Sequence, residues 1–284
     1  MPEVLIDGVT IRYEAMGSGT PVVLTPGGRW GGYVMKRVAT ELAKHFRVIT
    51  WDRPNTDGAS GIVTKGDVSE ADIWCSFLAG LIRQLELGPC YVGEYAGCRT
   101  TPLLCVRHPE LVKGLMLAWP SGGEVPAERL PKNMYRPYMR AALRGGMAAV
   151  CETPMYAAAI QANSAVRGEL MAQDPVTFVR QFGFWEAFFT TSADLPTAGC
   201  RLGDAEWASI RKPAIVTGGA DPIHPTIAAQ RIQKLIPGCR YHDPVVSLEE
   251  WDKVFNVLPY PKVSDLQGER IAPVWLNFIK ETNT

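Results

Sequence analysis

Apolar residues recur along this chain with two periods, and the two periods alternate. Short runs rich in apolar residues are typical of buried strands, and they lie at 22–24, 47–51, 90–92 and 115–117. Between them, apolar residues recur every three or four positions, which predicts helices. One helix has a clear start, because Ser69-Glu70-Ala71-Asp72 has the capping-box pattern. Strands that alternate with helices predict right-handed crossovers and a mostly parallel sheet.

The alternation stops at Ser121-Gly122-Gly123. Roughly 85 residues then show helical spacing with few strand signals. The alternation resumes with a strand at 214–217, a helix at 227–235, a strand near 239–241 and a final helix at 271–279. We therefore expect one α/β domain with a helical insertion. The predicted parts are 1–122 (α/β core), 123–208 (helical cap) and 209–284 (α/β core).

The first residues predict two short strands joined by a turn at Asp7-Gly8. They lack a basic stretch followed by an apolar run, so we expect no secretory signal. The chain has 284 residues, 46% of them apolar, which is enough for a large core. No run of 18 apolar residues predicts a membrane span.

The charge balance limits the partners that we expect for this protein, and the cysteine content indicates its compartment. The 29 basic residues equal the 29 acidic ones, which argues against nucleic acid or an anionic membrane surface as the main partner. The seven cysteines are odd in number and include no C-x-x-C pair. We therefore expect neither a disulfide framework nor a zinc site, and reduced thiols in a cytoplasmic protein. The oligomeric state stays open.

Four segments, taken in order, resemble the α/β-hydrolase superfamily, and outside the insertion they cover nearly the whole chain. They are VVLTPGG (22–28), WDRPNTDGAS (51–60), the block 91–117 around YVGEYAGCRTT, and PAIVTGGADPIHP (213–225). In the family they correspond to the oxyanion loop, the D-x-R-G-x-G-x-S segment, the nucleophile elbow and the turn that carries the acid. The resemblance implies an α/β-hydrolase fold with a pocket between cap and sheet.

The catalytic positions of the family are only partly present. The elbow pattern G-x-S-x-G here reads Gly93-Glu94-Tyr95-Ala96-Gly97, so Tyr95 stands in the place of the nucleophilic serine. The family's histidine would fall at Pro259-Tyr260-Pro261, and no histidine follows His242. Asp221 does match the acid. A serine acyl-enzyme mechanism therefore cannot be assumed.

Tyr95, Asp221 and His224 are the catalytic candidates. Tyr95 is either a phenol that faces a pocket, as a hydrogen-bond donor or general acid, or an aromatic plug. His224 lies three residues after Asp221, where it either acts as the base or caps the next helix. Cys98 is expected to be a core residue.

Substrate binding is expected at Gly28, Arg29 and Ala96. The backbone N–H groups of Gly28 and Ala96 would form the oxyanion hole implied by the resemblance. Arg29 and Arg99 are either surface arginines or a pair that holds a substrate carboxylate or phenolate, unless Glu94 pairs with one of them.

These residues favour an enzyme that acts on a small, partly apolar carbonyl compound by hydrolysis or C–C cleavage, without a serine acyl-enzyme. No dinucleotide or P-loop motif is present, so we expect no cofactor and no metal. One alternative is a non-catalytic member of the superfamily that binds a small ligand or a protein. Another is an ordinary esterase with an unrecognised base.

Overall fold

The computed structural model describes residues 1–58, 60–255, 257 and 259–283, apart from the side chains at 254, 255, 260 and 261. The strands are Glu3–Ile6 (β1), Val9–Met16 (β2), Pro21–Pro26 (β3), Arg47–Trp51 (β4), Cys90–Gly97 (β5), Val112–Pro120 (β6), Ala214–Thr217 (β7) and Arg240–His242 (β8). The helices are Lys36–Leu42 (α1), Glu70–Gln84 (α2), Thr100–Arg107 (α3), Glu124–Met134 (α4), Arg136–Cys151 (α5), Pro154–Ala162 (α6), Ala165–Met171 (α7), Pro175–Thr190 (α8), Asp204–Trp207 (α9), Thr226–Leu235 (α10), Leu248–Glu250 (α11) and Tyr260–Thr282 (α12). Short 3₁₀ turns span Gly32–Met35 and Pro109–Leu111, and a π-helical turn spans Trp251–Phe255.

The strands form one eight-stranded sheet in the order β1-β2-β4-β3-β5-β6-β7-β8. The pairs β1·β2 and β2·β4 are antiparallel, and the pairs from β4 through β8 are parallel. The β1–β2 hairpin turns at Asp7 and Gly8, whose φ angles of 48° and 78° lie in the left-handed region that Asp and Gly tolerate. The expected mostly parallel sheet and the Asp7-Gly8 turn are both confirmed.

Two apolar cores lie on the two faces of the sheet. One packs α1 and α12 against β3, β4 and β5 and includes Val38, Leu42, Trp275 and Phe278. The other, larger core packs α2 and α3 against the opposite face and continues into the helices after β6. The predicted start of α2 is confirmed, since the Ser69 hydroxyl accepts a hydrogen bond from the backbone N–H of Asp72.

Residues 124–190 form the helices α4 to α8, between β6 and β7. Helix α8 buries Phe178, Phe182, Trp185 and Phe189, which are spaced four, three and four apart and so share one face. That face packs against α4 and α5. The helical character of the insertion is as expected, while its assignment as a cap with bounds 123–208 stays a prediction. Within the described part of the chain, no helix combines the length and the apolar content of a membrane span.

Candidate active site

The predicted site residues follow strands whose carboxyl ends share one edge of the sheet. Gly28 and Arg29 follow β3, Ala96 lies at the end of β5, and Asp221 follows β7. The loop after β3 touches the last residues of β5. A Cβ atom on Gly27 would lie 1.9 Å from the carbonyl oxygen of Ala96. Only glycine permits that approach. Gly28, with φ of 55°, also uses the left-handed freedom of glycine.

Tyr95 does not open into a pocket, which corrects one of the two interpretations of the sequence. The residue is 0% exposed and belongs to the core that α1 and α12 form with the sheet. Its ring packs edge-on against Trp119, with 5.3 Å between ring centroids. Its hydroxyl donates to the backbone carbonyl of Val34 at 3.0 Å. Strand β5 runs on to Gly97, so Tyr95 lies within a strand, where its side chain points to one face of the sheet.

The carboxylate of Glu94 occupies the N-terminus of helix α3. It accepts the backbone N–H groups of Arg99 at 2.9 Å, Thr100 at 2.9 Å and Thr101 at 2.7 Å, and the Thr101 hydroxyl at 3.0 Å. A helix N-terminus is otherwise a ready anion site. Here the chain supplies the anion itself, from a side chain only 1% exposed.

Cys98 holds the sharp bend between β5 and α3, with φ of 56°. Its thiol donates to the carbonyl of Ala118 at 3.2 Å and is fully buried. Burial raises the pKa of this thiol well above its ordinary value, so it is not an activated nucleophile. The expectation of a core residue is met in this geometry.

Asp221 and His224 come together as a hydrogen-bonded pair. Nδ1 of His224 lies 3.0 Å from Oδ2 of Asp221. Oδ1 of Asp221 accepts the backbone N–H groups of Ile223 at 2.8 Å and His224 at 3.1 Å. Burial acts to raise the pKa of Asp221, but the hydrogen bond and charge of His224 and these N–H groups outweigh it and lower the pKa. The side chain of His224 is 13% exposed, and its Nε2 has no hydrogen-bond partner among the described residues.

The guanidinium of Arg29 is already occupied by the protein. Nη2 donates to both carboxylate oxygens of Glu70 at 2.9 Å, and Nη1 donates to the carbonyl of Asn55 at 2.6 Å. The Tyr135 hydroxyl also donates to Glu70, at 3.0 Å. Burial disfavours the charge of Arg29, but Glu70 outweighs it and holds the pKa above the ordinary value.

Arg99 is buried and, unlike Arg29, forms no salt bridge among the described residues, and its Nη2 has no hydrogen-bond partner among them. It is 3% exposed, its Nε donates to the carbonyl of Ala198 at 2.6 Å, and its guanidinium lies over Phe189. Of the two alternatives for these arginines, the surface position is wrong for both, since both are buried. The alternative of a joint clamp on a substrate anion is not supported for Arg29, because Glu70 already pairs with it. The spacing in Ser69-Glu70-Ala71-Asp72 indicates only a helix cap, so the sequence does not predict the ion pair between Glu70 and Arg29.

Arg53 is a structural residue that sequence reasoning missed. Its Nη2 donates to the carbonyls of Gly27 and Gly28, both at 2.9 Å, and its guanidinium stacks on Trp74. Burial lowers the pKa of Arg53 to about 10. Arg53 thus holds the loop after β3 in place through the carbonyls of Gly27 and Gly28. The signal was its place in WDRPNTDGAS, directly after β4.

A cavity of about 570 Å³ lies between the loop after β3 and helices α4, α5 and α6. Its described lining comprises Gly28, Arg29, Trp30, Tyr33, Asp57, Leu130, Asn133, Met134, Tyr138, Pro154, Met155 and Ala158. Two predicted binding residues, Gly28 and Arg29, are thus brought to one cavity. Asp221, His224 and Ala96 are not among this lining. No group of metal-ligating side chains is found among the described residues.

Asp57 is the carboxylate of this cavity. Its Oδ1 accepts the backbone N–H of Gly31 at 2.6 Å, and its Oδ2 accepts the hydroxyl of Tyr33 at 2.7 Å. Burial raises the pKa of Asp57, against the opposing effect of these hydrogen bonds.

The arrangement of strands, helices and site turns is that of the α/β-hydrolase fold. Among solved structures, the chain is similar to a meta-cleavage product hydrolase from Pseudomonas fluorescens IP01, with a TM-score of 0.66, 19% identity, and coverage of 100% of this chain and 98% of that one. It is also similar to a thermophilic esterase from Thermogutta terrifontis, with a TM-score of 0.64, 20% identity and full coverage of both chains. These likenesses show the fold.

Sequence comparison gives a shorter match. The chain is 33% identical over 116 residues to a protein of Serratia proteamaculans (strain 568) that bears the name "Putative carbamate hydrolase RutD". The match spans 38% of this chain and 43% of that protein, so it covers less than half of either. No protein-family model matches the chain.

Proposed function

We propose that this protein is a hydrolase of small, partly apolar carbonyl compounds that uses water directly as the nucleophile. The Asp221–His224 pair carries this proposal. Its 3.0 Å hydrogen bond fixes the imidazole and leaves Nε2 for a proton. A base oriented by a buried carboxylate is one part of hydrolytic machinery, and the contact between Asp221 and His224 supports such a role here. The relatives named above, hydrolases and an esterase, are consistent with this class.

The side chains of Tyr95 and Cys98, which lie at the predicted nucleophile elbow, argue against an acyl-enzyme. The Tyr95 hydroxyl is buried and donates to Val34, and the Cys98 thiol is buried with a raised pKa. In the proposed reaction, water oxygen bonds to the carbonyl carbon while His224 takes the proton. The tetrahedral oxyanion then collapses, the bond to the leaving group breaks, and His224 returns the proton to that group. C–C cleavage would follow the same electron flow with a stabilised carbanion as leaving group.

The substrate would extend from the cavity along the sheet edge towards β7. Strands β3 and β7 are separated by β5 and β6, which corresponds to about 14 Å at roughly 4.8 Å per strand spacing. The apolar end of the substrate would lie in the cavity beneath the helical cap. Its carbonyl would lie nearer β5, where the N–H groups of Gly28 and Ala96 are proposed to hold the oxyanion.

Turnover of p-nitrophenyl esters of graded acyl length tests this function. We expect His224→Ala to lower kcat/KM by about a hundredfold or more and Asp221→Asn to lower it by at least about tenfold. His242→Ala, on β8, is the matched control and should retain activity.

Mass spectrometry after treatment with a fluorophosphonate should show no adduct on the peptide containing residues 93–97. Wild-type turnover in both pair variants, or a stoichiometric adduct on that peptide, would refute the mechanism.

A second candidate function is non-catalytic binding of a small ligand. It is favoured by one observation: the described lining of the cavity includes neither Asp221 nor His224. Under this alternative, ligand affinity would be measurable, no ester or carbamate would be turned over, and substitution of His224 would not change the affinity.

A further inference from the structure

We infer that the cavity selects an uncharged aromatic group and discriminates against carboxylates. This inference rests on the cavity invoked in the proposed function, and it specifies which class of compound enters. It depends on the shape of the lining and on the charges that remain after the internal ion pairs are formed.

The walls of the cavity suit a flat, polarisable group. Three aromatic side chains line it, those of Trp30, Tyr33 and Tyr138, together with the thioethers of Met134 and Met155. Aromatic rings pack well against other rings and against sulfur. An apolar cavity of about 150 Å³ holds a benzene molecule. The 570 Å³ present here therefore accommodates a fused ring system with a substituent.

The charges of the lining residues disfavour the binding of an anion. Arg29 is the one cation among the described lining residues, and both oxygens of the Glu70 carboxylate bind it. Arg29 is 7% exposed and Glu70 is 3% exposed, so the pair is enclosed by protein and carries no net charge towards the cavity. Asp57 then remains as the one acidic residue of the described lining, and it forms no salt bridge among the described residues, although the more distant charge of Arg53 acts on it. A bound carboxylate would lose its hydration, meet Asp57 and find no free cation, which costs binding free energy.

Neutral polar groups, by contrast, have partners in the cavity. The amide of Asn133 lines it and can both donate and accept hydrogen bonds. The carboxylate of Asp57 has lone pairs beyond those used by Gly31 and Tyr33, and it accepts from N–H or O–H donors. An aromatic amide or phenol can donate to Asp57, and an aromatic ester can accept from the amide of Asn133, without placing a negative charge near Asp57.

Calorimetric titration with two probes of one shape, 2-naphthamide and 2-naphthoate at pH 8, tests the inference. We expect 2-naphthamide to bind at least tenfold more tightly. Asp57→Asn should reduce that ratio at least threefold, whereas Asp265→Asn, which removes an equal charge in the groove between α1 and α12, should leave it unchanged.

A second pair of variants locates the binding. Ala158→Trp places a large side chain at the cavity wall and should weaken 2-naphthamide binding at least tenfold. Ala157→Trp adds the same side chain at the preceding position of α6, which is also exposed but lies outside the cavity lining, and should not weaken binding. Equal or tighter binding of 2-naphthoate, no binding of either probe, or indifference to Ala158→Trp would overturn the inference.

Titration needs no turnover, so the two proposals fail separately. Binding of 2-naphthamide without hydrolysis of any ester would refute only the hydrolase function. Hydrolysis together with a preference for 2-naphthoate would refute only the selection of uncharged groups.

Discussion

Two turns at the same edge of the sheet differ in whether their polar side chains bond within the core or are left partly exposed. The segment 93–101, made of the end of β5 and the bend that follows it and here called the turn after β5, uses three of its side chains inside the protein: Glu94 caps α3, the Tyr95 hydroxyl donates to the carbonyl of Val34, and the Cys98 thiol donates to the carbonyl of Ala118. The turn after β7, residues 218–225, orients His224 through Asp221 and leaves the imidazole Nε2 without a described partner. The first turn lies in the core, whereas the second leaves its imidazole partly exposed.

The difference shows that equivalent places in a fold need not share a chemical role. A strand end offers a helix N-terminus and a bend, both of which suit an anion. In the turn after β5, a glutamate from the chain takes that place and makes four hydrogen bonds with the helix start. Chemistry is therefore expected at the other turn. Three experiments test this contrast.

The largest effect is expected from Glu94→Ala. Removing this carboxylate leaves the buried N–H groups of α3 unpaired and Arg99 without its nearby negative charge. Removal of one partner of a buried charged network typically costs about 3–5 kcal/mol of unfolding free energy. Urea denaturation monitored by circular dichroism measures it, with Glu128→Ala, an exposed site on α4, as the control. A loss below about 1 kcal/mol would show that the turn after β5 does not depend on its internal anion.

A smaller effect is expected from Tyr95→Phe. The change keeps the ring packed against Trp119 and removes only the hydroxyl that donates to Val34. We expect unfolding free energy to fall by about 1 kcal/mol. Turnover should stay within about twofold of wild type, since under the proposed mechanism the hydroxyl does not reach the substrate. A tenfold fall in kcat at unchanged stability would restore the catalytic interpretation of Tyr95.

The smallest effect concerns the acid dependence of the turn after β7. The pKa of Asp221 is lowered in the folded protein, so its ionisation stabilises the fold above the ordinary carboxyl range and this contribution disappears as pH falls below about 4. Asp221→Asn should therefore reduce stability at pH 7 and lose that difference towards pH 3. Denaturation curves at several pH values measure this. A constant difference across the range would contradict the lowered pKa.

Local signals in the sequence predicted local structure well. Ser69 forms the cap that its spacing to Asp72 indicates, and Asp7-Gly8 forms the predicted hairpin turn. The order of four short motifs predicted the fold, because each motif follows a strand and the parallel sheet brings the strand ends to one edge. Asp221 and His224 were predictable as a pair for a similar reason, since they lie three positions apart in one turn.

By itself, then, the sequence determined the elements, their order and the acid turn, because these depend on the spacing of nearby residues. The tertiary structure decided where side chains point and which distant charges meet. Tyr95 turns into the core because β5 continues past it to Gly97. Arg29 is neutralised by Glu70, 41 residues away, since the loop after β3 and the start of α2 pack together. No local pattern encodes such a pairing, because it depends on desolvation and on contacts that exist only in the folded chain.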